Sequence, residues 1–144
     1  MIMAFMLHFH VEGNPVGKGR PRFRRTKNFV QTYTDSKTAA WEEKVKSAAK
    51  QAMGDTPPLE GPVSVYGYFG LSVPSSHSKK RTTACLEGRE APSKKPDLDN
   101  MAKAVLDAMN GVVFKDDSQI INLHLKKVYS IEVGVNVLVK EEVL

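Results

Sequence analysis

Asp97 and Asp99 stand one residue apart in "KPDLDN", residues 95–100, and a second acidic pair, Asp116 and Asp117, follows shortly after. On a helix beginning near residue 98, Lys103 lies one turn beyond Asp99 and shares its face. Asp107 is rotated by about 80° from Asp99 and can look toward the same side. Clustered carboxylates without cysteine favour a hard cation, Mg²⁺ or Mn²⁺, over zinc or copper. Ions held this way neutralise charge on the attacking and leaving oxygens of a phosphodiester and lower the pKa of a bound water. A neighbouring lysine adds positive charge where the transition state is most negative.

The same residues have simpler uses. Asp is a favoured N-cap and suits the helix dipole. An exposed Asp–Lys pair at i,i+4 is ordinarily a surface ion pair contributing a few tenths of a kcal/mol. Two acidic clusters flanking one helix, with a lysine between them, exceed what a cap needs. A calcium loop of the EF-hand type is excluded, because Ala102 and Ala108 stand where Gly and Glu are required.

The cations are as localised as the acids. The run "KGRPRFRRTK", residues 18–27, holds Lys18, Arg20, Arg22, Arg24, Arg25 and Lys27 and no acid. Without it, the chain of net charge +5 would be close to neutral. A concentrated basic segment is what a phosphate backbone attracts, through counterion release; the alternative is a solvated arm without a partner. Lys18, Arg20, Arg22, Arg24 and Arg25 are the primary DNA-contact candidates. Lys79, Lys80 and Arg81 are lesser ones. Phe23 and Phe114 are candidates for stacking on exposed bases, Phe114 also for core packing. A nucleotide-binding P-loop is rejected, since three intervening residues rather than four separate Gly13 from Gly17 and Gly19 replaces the Ser/Thr.

The elements that must position these groups follow from periodicity. "FMLHFHVE", residues 5–12, alternates as a half-buried strand with Phe5, Leu7, Phe9 and Val11 inward and His8 and His10 toward solvent. Residues 13–30 are rich in Gly, Pro and cations and read as a basic loop. Residues 35–53 predict a helix capped by Asp35 or Ser36 and ended by Gly54, with Trp41 and Val45 in its apolar stripe. Residues 63–73 alternate as a long strand. Residues 74–96 lack periodicity and read as a mobile loop. Residues 98–109 predict the second helix, buried through Leu98, Ala102, Val105, Leu106 and Met109. "IINLHLKKV" and "IEVGVNVLV" predict a terminal hairpin with Ile131, Val133, Val135, Val137 and Val139 inward. The expected fold is α+β, one mixed β-sheet with two helices on one face, in a single domain over residues 1–144.

At 144 residues the chain is long enough for a core without staples. Cys85 is its only cysteine, so no internal disulfide forms, and a reducing cytoplasm is expected. The apolar start is too short for a membrane span and lacks the basic flank of a signal peptide.

"KPDLDNMAKAVLDAMNGVVFKDDSQI", residues 95–120, closely resembles the signature of the RusA family of Holliday-junction resolvases. "GKGRPRF", residues 17–23, and "YTDSKTAAWE", residues 33–42, resemble N-terminal segments of its phage-type members. The resemblance spans most of the chain in the expected order. It implies an α+β homodimer and a magnesium-dependent endonuclease acting on four-way DNA junctions in bacteria or phage-infected cells, with no nucleotide cofactor. It maps the family's acids onto Asp97, Asp99 and Asp117, and its lysine onto Lys103, as catalytic residues. The same aspartates are the implied metal ligands; whether Asp116 binds metal or only supports the site is left open. A dimer suits two symmetric cuts, since a two-fold axis supplies two identical sites. Two rival readings stand beside this one: a noncatalytic nucleic-acid-binding protein whose acids only cap a helix, and a nuclease acting on flaps or forks.

Overall fold

Alternation places Leu7, Phe9 and Val11 on the buried side of β1 (Met6–Glu12), with Met6, His8, His10 and Glu12 exposed. The structure is a computed structural model; it describes residues 4–19, 22–25, 30–33 and 35–144. After β1 come β2 (Arg22–Arg25), β3 (Val30–Tyr33), α1 (Ser36–Met53), β4 (Val63–Leu71), α2 (Lys79–Leu86), α3 (Leu98–Met109), β5 (Ile120–Tyr129) and β6 (Gly134–Glu141). A single 3₁₀ turn, Asp117–Gln119, leads into β5.

One mixed sheet runs in the order β1-β6-β4-β5, with β4 and β5 parallel and the other pairs antiparallel. α1 starts where the Asp35 carboxylate accepts the Lys37 N–H, and it buries Trp41, Val45, Ala49 and Met53. Gly54 ends it with φ 54°, a conformation that costs glycine nothing. α3 buries Met101, Ala102, Ala104, Val105, Ala108 and Met109. These faces join Phe69, Val65, Val135, Val137 and Val139 of the sheet in one core. Each large side chain so buried contributes about 1.5–3 kcal/mol. Phe114 is 0% exposed and belongs to this core, which removes it as a stacking residue. The opposite face of the sheet is open, with exposed Tyr66 stacked on His124.

Several expectations are corrected. β5 and β6 do not form a hairpin: β4 lies between them. The chain leaves β5, crosses the end of β4 and enters the sheet between β4 and β1. Gly70 makes room for the crossing, since a Cβ there would lie 2.5 Å from the Glu132 carbonyl oxygen. Ser130 N–H donates to Leu71 O, and Gly13 N–H to Val133 O, on either side of it. Ile131, expected inward, is 85% exposed because it sits in this crossover rather than in a strand. The segment 74–96 is not a structureless mobile loop, for it contains α2. Ser78 caps that helix by accepting the Arg81 N–H. Cys85 is the one α2 residue that is buried, so the helix left no apolar stripe in the sequence. The described residues therefore hold three α-helices where two were expected. The basic loop 13–30 contains β2, which pairs with β3 in a separate two-stranded sheet. Arg20 and Lys27 lie outside the described residues.

Candidate functional site

The loop of residues 13–19 lies on the start of α3. The Lys18 N–H donates to Asn100 O at 2.9 Å. A Cβ at Gly17 would come within 3.2 Å of Pro96 Cβ and 3.3 Å of Asn100 Cβ, so glycine allows the close approach. From the other side, Lys127 of β5 donates to Lys94 O at 2.9 Å and to Pro96 O at 3.1 Å. The "KPDLDN" stretch is thus held between loop and sheet. Beside it opens a cleft of about 940 Å³. Lys18, Lys37, Lys94, Lys95 and Asp97 line it, with Leu71 and Tyr129 at the strand ends.

Asp97 occupies the N-cap position of α3, yet its side chain makes no capping hydrogen bond. Both Asp97 and Asp99 are exposed. Among the described residues neither carboxylate has a hydrogen-bond or ion-pair partner, and the same holds for Asp117. Asp116 differs. Its carboxylate accepts the Ser118 N–H at 3.2 Å, and its own N–H donates to Gln119 Oε1 at 2.9 Å. The Ser118 hydrogen bonds hold its pKa below the usual carboxylate value. Asp116 is therefore engaged in shaping the turn, whereas Asp117 is not.

Lys103 donates to Asp107 Oδ1 at 3.0 Å, and the other oxygen of Asp107 takes Lys18 Nζ at 2.6 Å. Lys18 also pairs with Glu42 of α1 at 2.9 Å. Burial disfavours the charge on Asp107, but the hydrogen bonds from Lys18 and Lys103 outweigh it and lower its pKa. Burial likewise works against the Lys18 ammonium, and its two carboxylate partners overcome this and raise its pKa. Lys18 thus joins the loop, α1 and α3, and its charge is balanced by protein.

The segments flanking α2 line the cleft through Pro74 before it and Pro92 after it. Arg81 grips Glu90 with Nε at 3.1 Å and Nη2 at 2.8 Å. This pairing holds the Glu90 pKa down against the effect of burial. Glu90 accepts the Cys85 thiol at 3.5 Å, and burial pushes that thiol up.

The two ends of α3 divide the acids. Asp97 and Asp99 lie at its start, Asp97 in the cleft that Tyr129 also lines. Asp116 and Asp117 lie beyond its end, where Asn110 bridges to Phe114 and Ile120 pairs with Val63. From Asp99 to Asn110 the helix axis advances about 16 Å. Ligands of one hard cation must each lie about 2–2.6 Å from it. Among the described residues no group of three or more His, Cys, Asp or Glu side chains is gathered for a metal.

The model of the family described as endodeoxyribonuclease RusA matches residues 12–140. The chain belongs to the RusA endodeoxyribonuclease family. The family implies a Holliday-junction-resolving endonuclease. The chain is also similar to the uncharacterized protein YqaN of Bacillus subtilis (strain 168), with 36% identity over 137 residues, 94% of this chain and 96% of that protein. Among the described residues no helix is long and apolar enough to cross a membrane.

Within this RusA-family chain, the proposed DNA contacts fare unequally. Lys18 lines the cleft but is paired twice. Arg25 is exposed on β2; Arg22 and Arg24 stand on the same strand. Lys79 and Lys80 are exposed in the first turn of α2, and the Arg81 charge is matched by Glu90. Sequence reasoning passed over Lys37, Lys94 and Lys95. The pair immediately before "PDLD" was the available signal for the last two.

Proposed function

We propose that this chain is a divalent-metal-dependent, structure-selective endonuclease that resolves four-way DNA junctions by paired symmetric nicks, acting as a homodimer. The observation that carries the reading is the unpartnered carboxylate of Asp97 in the lining of a lysine-lined cleft, with the unpartnered Asp99 two residues further along α3. Exposed anionic oxygens without protein partners suit a hard cation such as Mg²⁺ or Mn²⁺ in kind. Bound there, such an ion would supply a nucleophilic water and neutralise the scissile phosphate. Lys37, Lys94 and Lys95 draw the phosphate backbone into the cleft without reading sequence. Lys103, held by Asp107, is placed one helical turn from Asp99 to balance phosphate charge.

Asp117 completes the set from a second copy of the chain. The length of α3 separates it from Asp97 and Asp99 within one protomer, and a two-fold axis can bring opposite ends of two protomers together. Two such composite sites would cut two strands symmetrically.

The test is cleavage of a synthetic mobile four-way junction beside matched duplex, flap and fork DNA, with Mg²⁺ and with EDTA. Paired nicks confined to the junction and lost with EDTA are expected. Asp97→Asn should abolish cutting and leave junction binding within a few-fold. Tight binding with no cutting under any divalent metal would instead support a binding module. Preferential cutting of flaps or forks would move the substrate away from junctions.

A further inference from the structure

β5 breaks its own pattern at Lys127. Leu123, Leu125, Lys127 and Tyr129 stand in register with Val65, Gly67, Phe69 and Leu71 of β4, so they share the face of the sheet that packs on the helices. Lys127 is the one charged side chain among the four, beside a Phe69 that is 1% exposed. A half-buried ammonium is costly unless its donors are satisfied. Its partners are not acids. Lys127 donates to Lys94 O at 2.9 Å and to Pro96 O at 3.1 Å, and among the described residues it has no ion pair.

Those two carbonyls lie just ahead of Asp97, and the second belongs to the peptide unit that joins Pro96 to Asp97. The Asp97 side chain makes no capping hydrogen bond and has no other partner, so backbone alone sets where its carboxylate stands in the cleft. Behind Asp97 the backbone is fixed by the helix, where the Met101 N–H donates to Asp97 O at 3.0 Å. Ahead of it, residues 91–96 belong to no helix or strand. Among the described residues, the Lys127 contacts are the hydrogen bonds that reach the backbone of 91–96.

We infer that Lys127 is a positioning residue for Asp97: its ammonium pins the peptide that carries Asp97 and so sets where that carboxylate can meet a cation. This role rests on the reading of Asp97 as a metal ligand proposed above and adds the residue that fixes its backbone. Lysine fits the task, because three donors on a long stem serve two carbonyls at once. The acceptors are neutral, so no further carboxylate is brought in to compete for the ion.

The sign of one measurement separates positioning from simple charge. A nearby ammonium repels a divalent cation. If Lys127 acted by charge alone, Lys127→Met would bind metal more tightly; if it positions Asp97, the variant binds more weakly. Mn²⁺ titration of the full chain, followed by the electron paramagnetic resonance of the free ion, reads this without turnover. Lys127→Met keeps the stem and removes the donors, and its Mn²⁺ affinity should fall about 10–100-fold, as for other lost partners behind a metal ligand. Lys127→Arg keeps both charge and donors and should recover to within a few-fold of wild type. Junction affinity should stay within a few-fold in both, and the Mg²⁺ concentration for half-maximal single-turnover cleavage should rise in Lys127→Met alone. Lys126→Met, one residue away on the open face, should match wild type throughout. Unchanged or tighter Mn²⁺ binding by Lys127→Met, with an unchanged Mg²⁺ requirement, overturns the positioning role and leaves the Asp97 reading standing. A loss that Lys127→Arg does not recover, accompanied by a lower Tm in both variants, makes Lys127 a packing residue and also overturns it. A wild-type chain with no Mn²⁺ site sensitive to Asp97→Asn, and no cutting with any divalent metal, overturns the reading beneath and this role with it.

Discussion

Asp107→Asn removes the shared counter-charge of two lysines, and its cost follows from the geometry. The carboxylate is 22% exposed and meets Lys18, 24% exposed, at 2.6 Å. A hydrogen bond between charged groups contributes about 1.5–3 kcal/mol. The Lys103 pair is an i,i+4 contact with a lysine 58% exposed, and adds only about 0.3–0.5 kcal/mol. Lys18 keeps Glu42, so the variant leaves no buried charge alone. The expected loss is about 2 kcal/mol, or a fall in Tm of about 4–8 °C for a domain of this size. A double-mutant cycle with Lys18→Met, read by urea unfolding, should give a coupling of about 1–2 kcal/mol. The acid side carries a second signature. The folded pKa of Asp107 is lowered, so its contribution is present above the unfolded value of about 3.9 and is lost as pH falls through the folded value. The raised Lys18 pKa works in the other direction: its contribution is full below about 10.4 and disappears as pH rises through the folded value. The wild-type advantage over Asp107→Asn should therefore hold at neutral pH and shrink below about pH 4. Single-variant effects that add within about 0.3 kcal/mol, with a pH-independent difference, would refute the clamp.

Three further outcomes are expected. Asp117→Asn should lose junction cleavage, whereas Asp116→Asn should lower Tm and keep cleaving; equal loss in both would show that the turn, not the free carboxylate, matters. Replacing Lys37, Lys94 and Lys95 with Gln should lower the log–log salt slope of junction binding by about 2–3, at about 0.9 for each phosphate contact. Arg81→Met should leave the slope unchanged, and the opposite ranking would place the DNA path on α2 instead of the cleft. Gly17→Val drives a side chain into Pro96 and Asn100 and should reduce cleavage; a wild-type rate would mean that the loop does not need its seat on α3.

The chain's local chemistry was legible in the order of residues. α3 spans Leu98–Met109 as its apolar period and flanking acids predicted, and α1 starts at the Asp35 cap. Alternation marked β1, most of β4 and the inward valines of β6, because pleat and helical turn impose their periods on any stretch that buries one face. Periodicity names faces, not neighbours. It could not place β4 between β5 and β6, a choice made by the parallel β4–β5 ladder and by the space at Gly70 for the crossing chain. It also missed α2, which is held by Ser78 and the Arg81–Glu90 pair instead of by an apolar stripe.

The site divides in the same way. Residue types alone announced acids, a lysine and a basic arm suited to phosphodiesters. Only the tertiary structure showed that Asp97 spends nothing on its cap, that Asp116 is committed to a turn, and that Lys18 is neutralised by Asp107 and Glu42. It also set Asp117 a helix length away from Asp97. These are relations between segments distant in the chain, and each depends on a distance that sequence spacing does not encode.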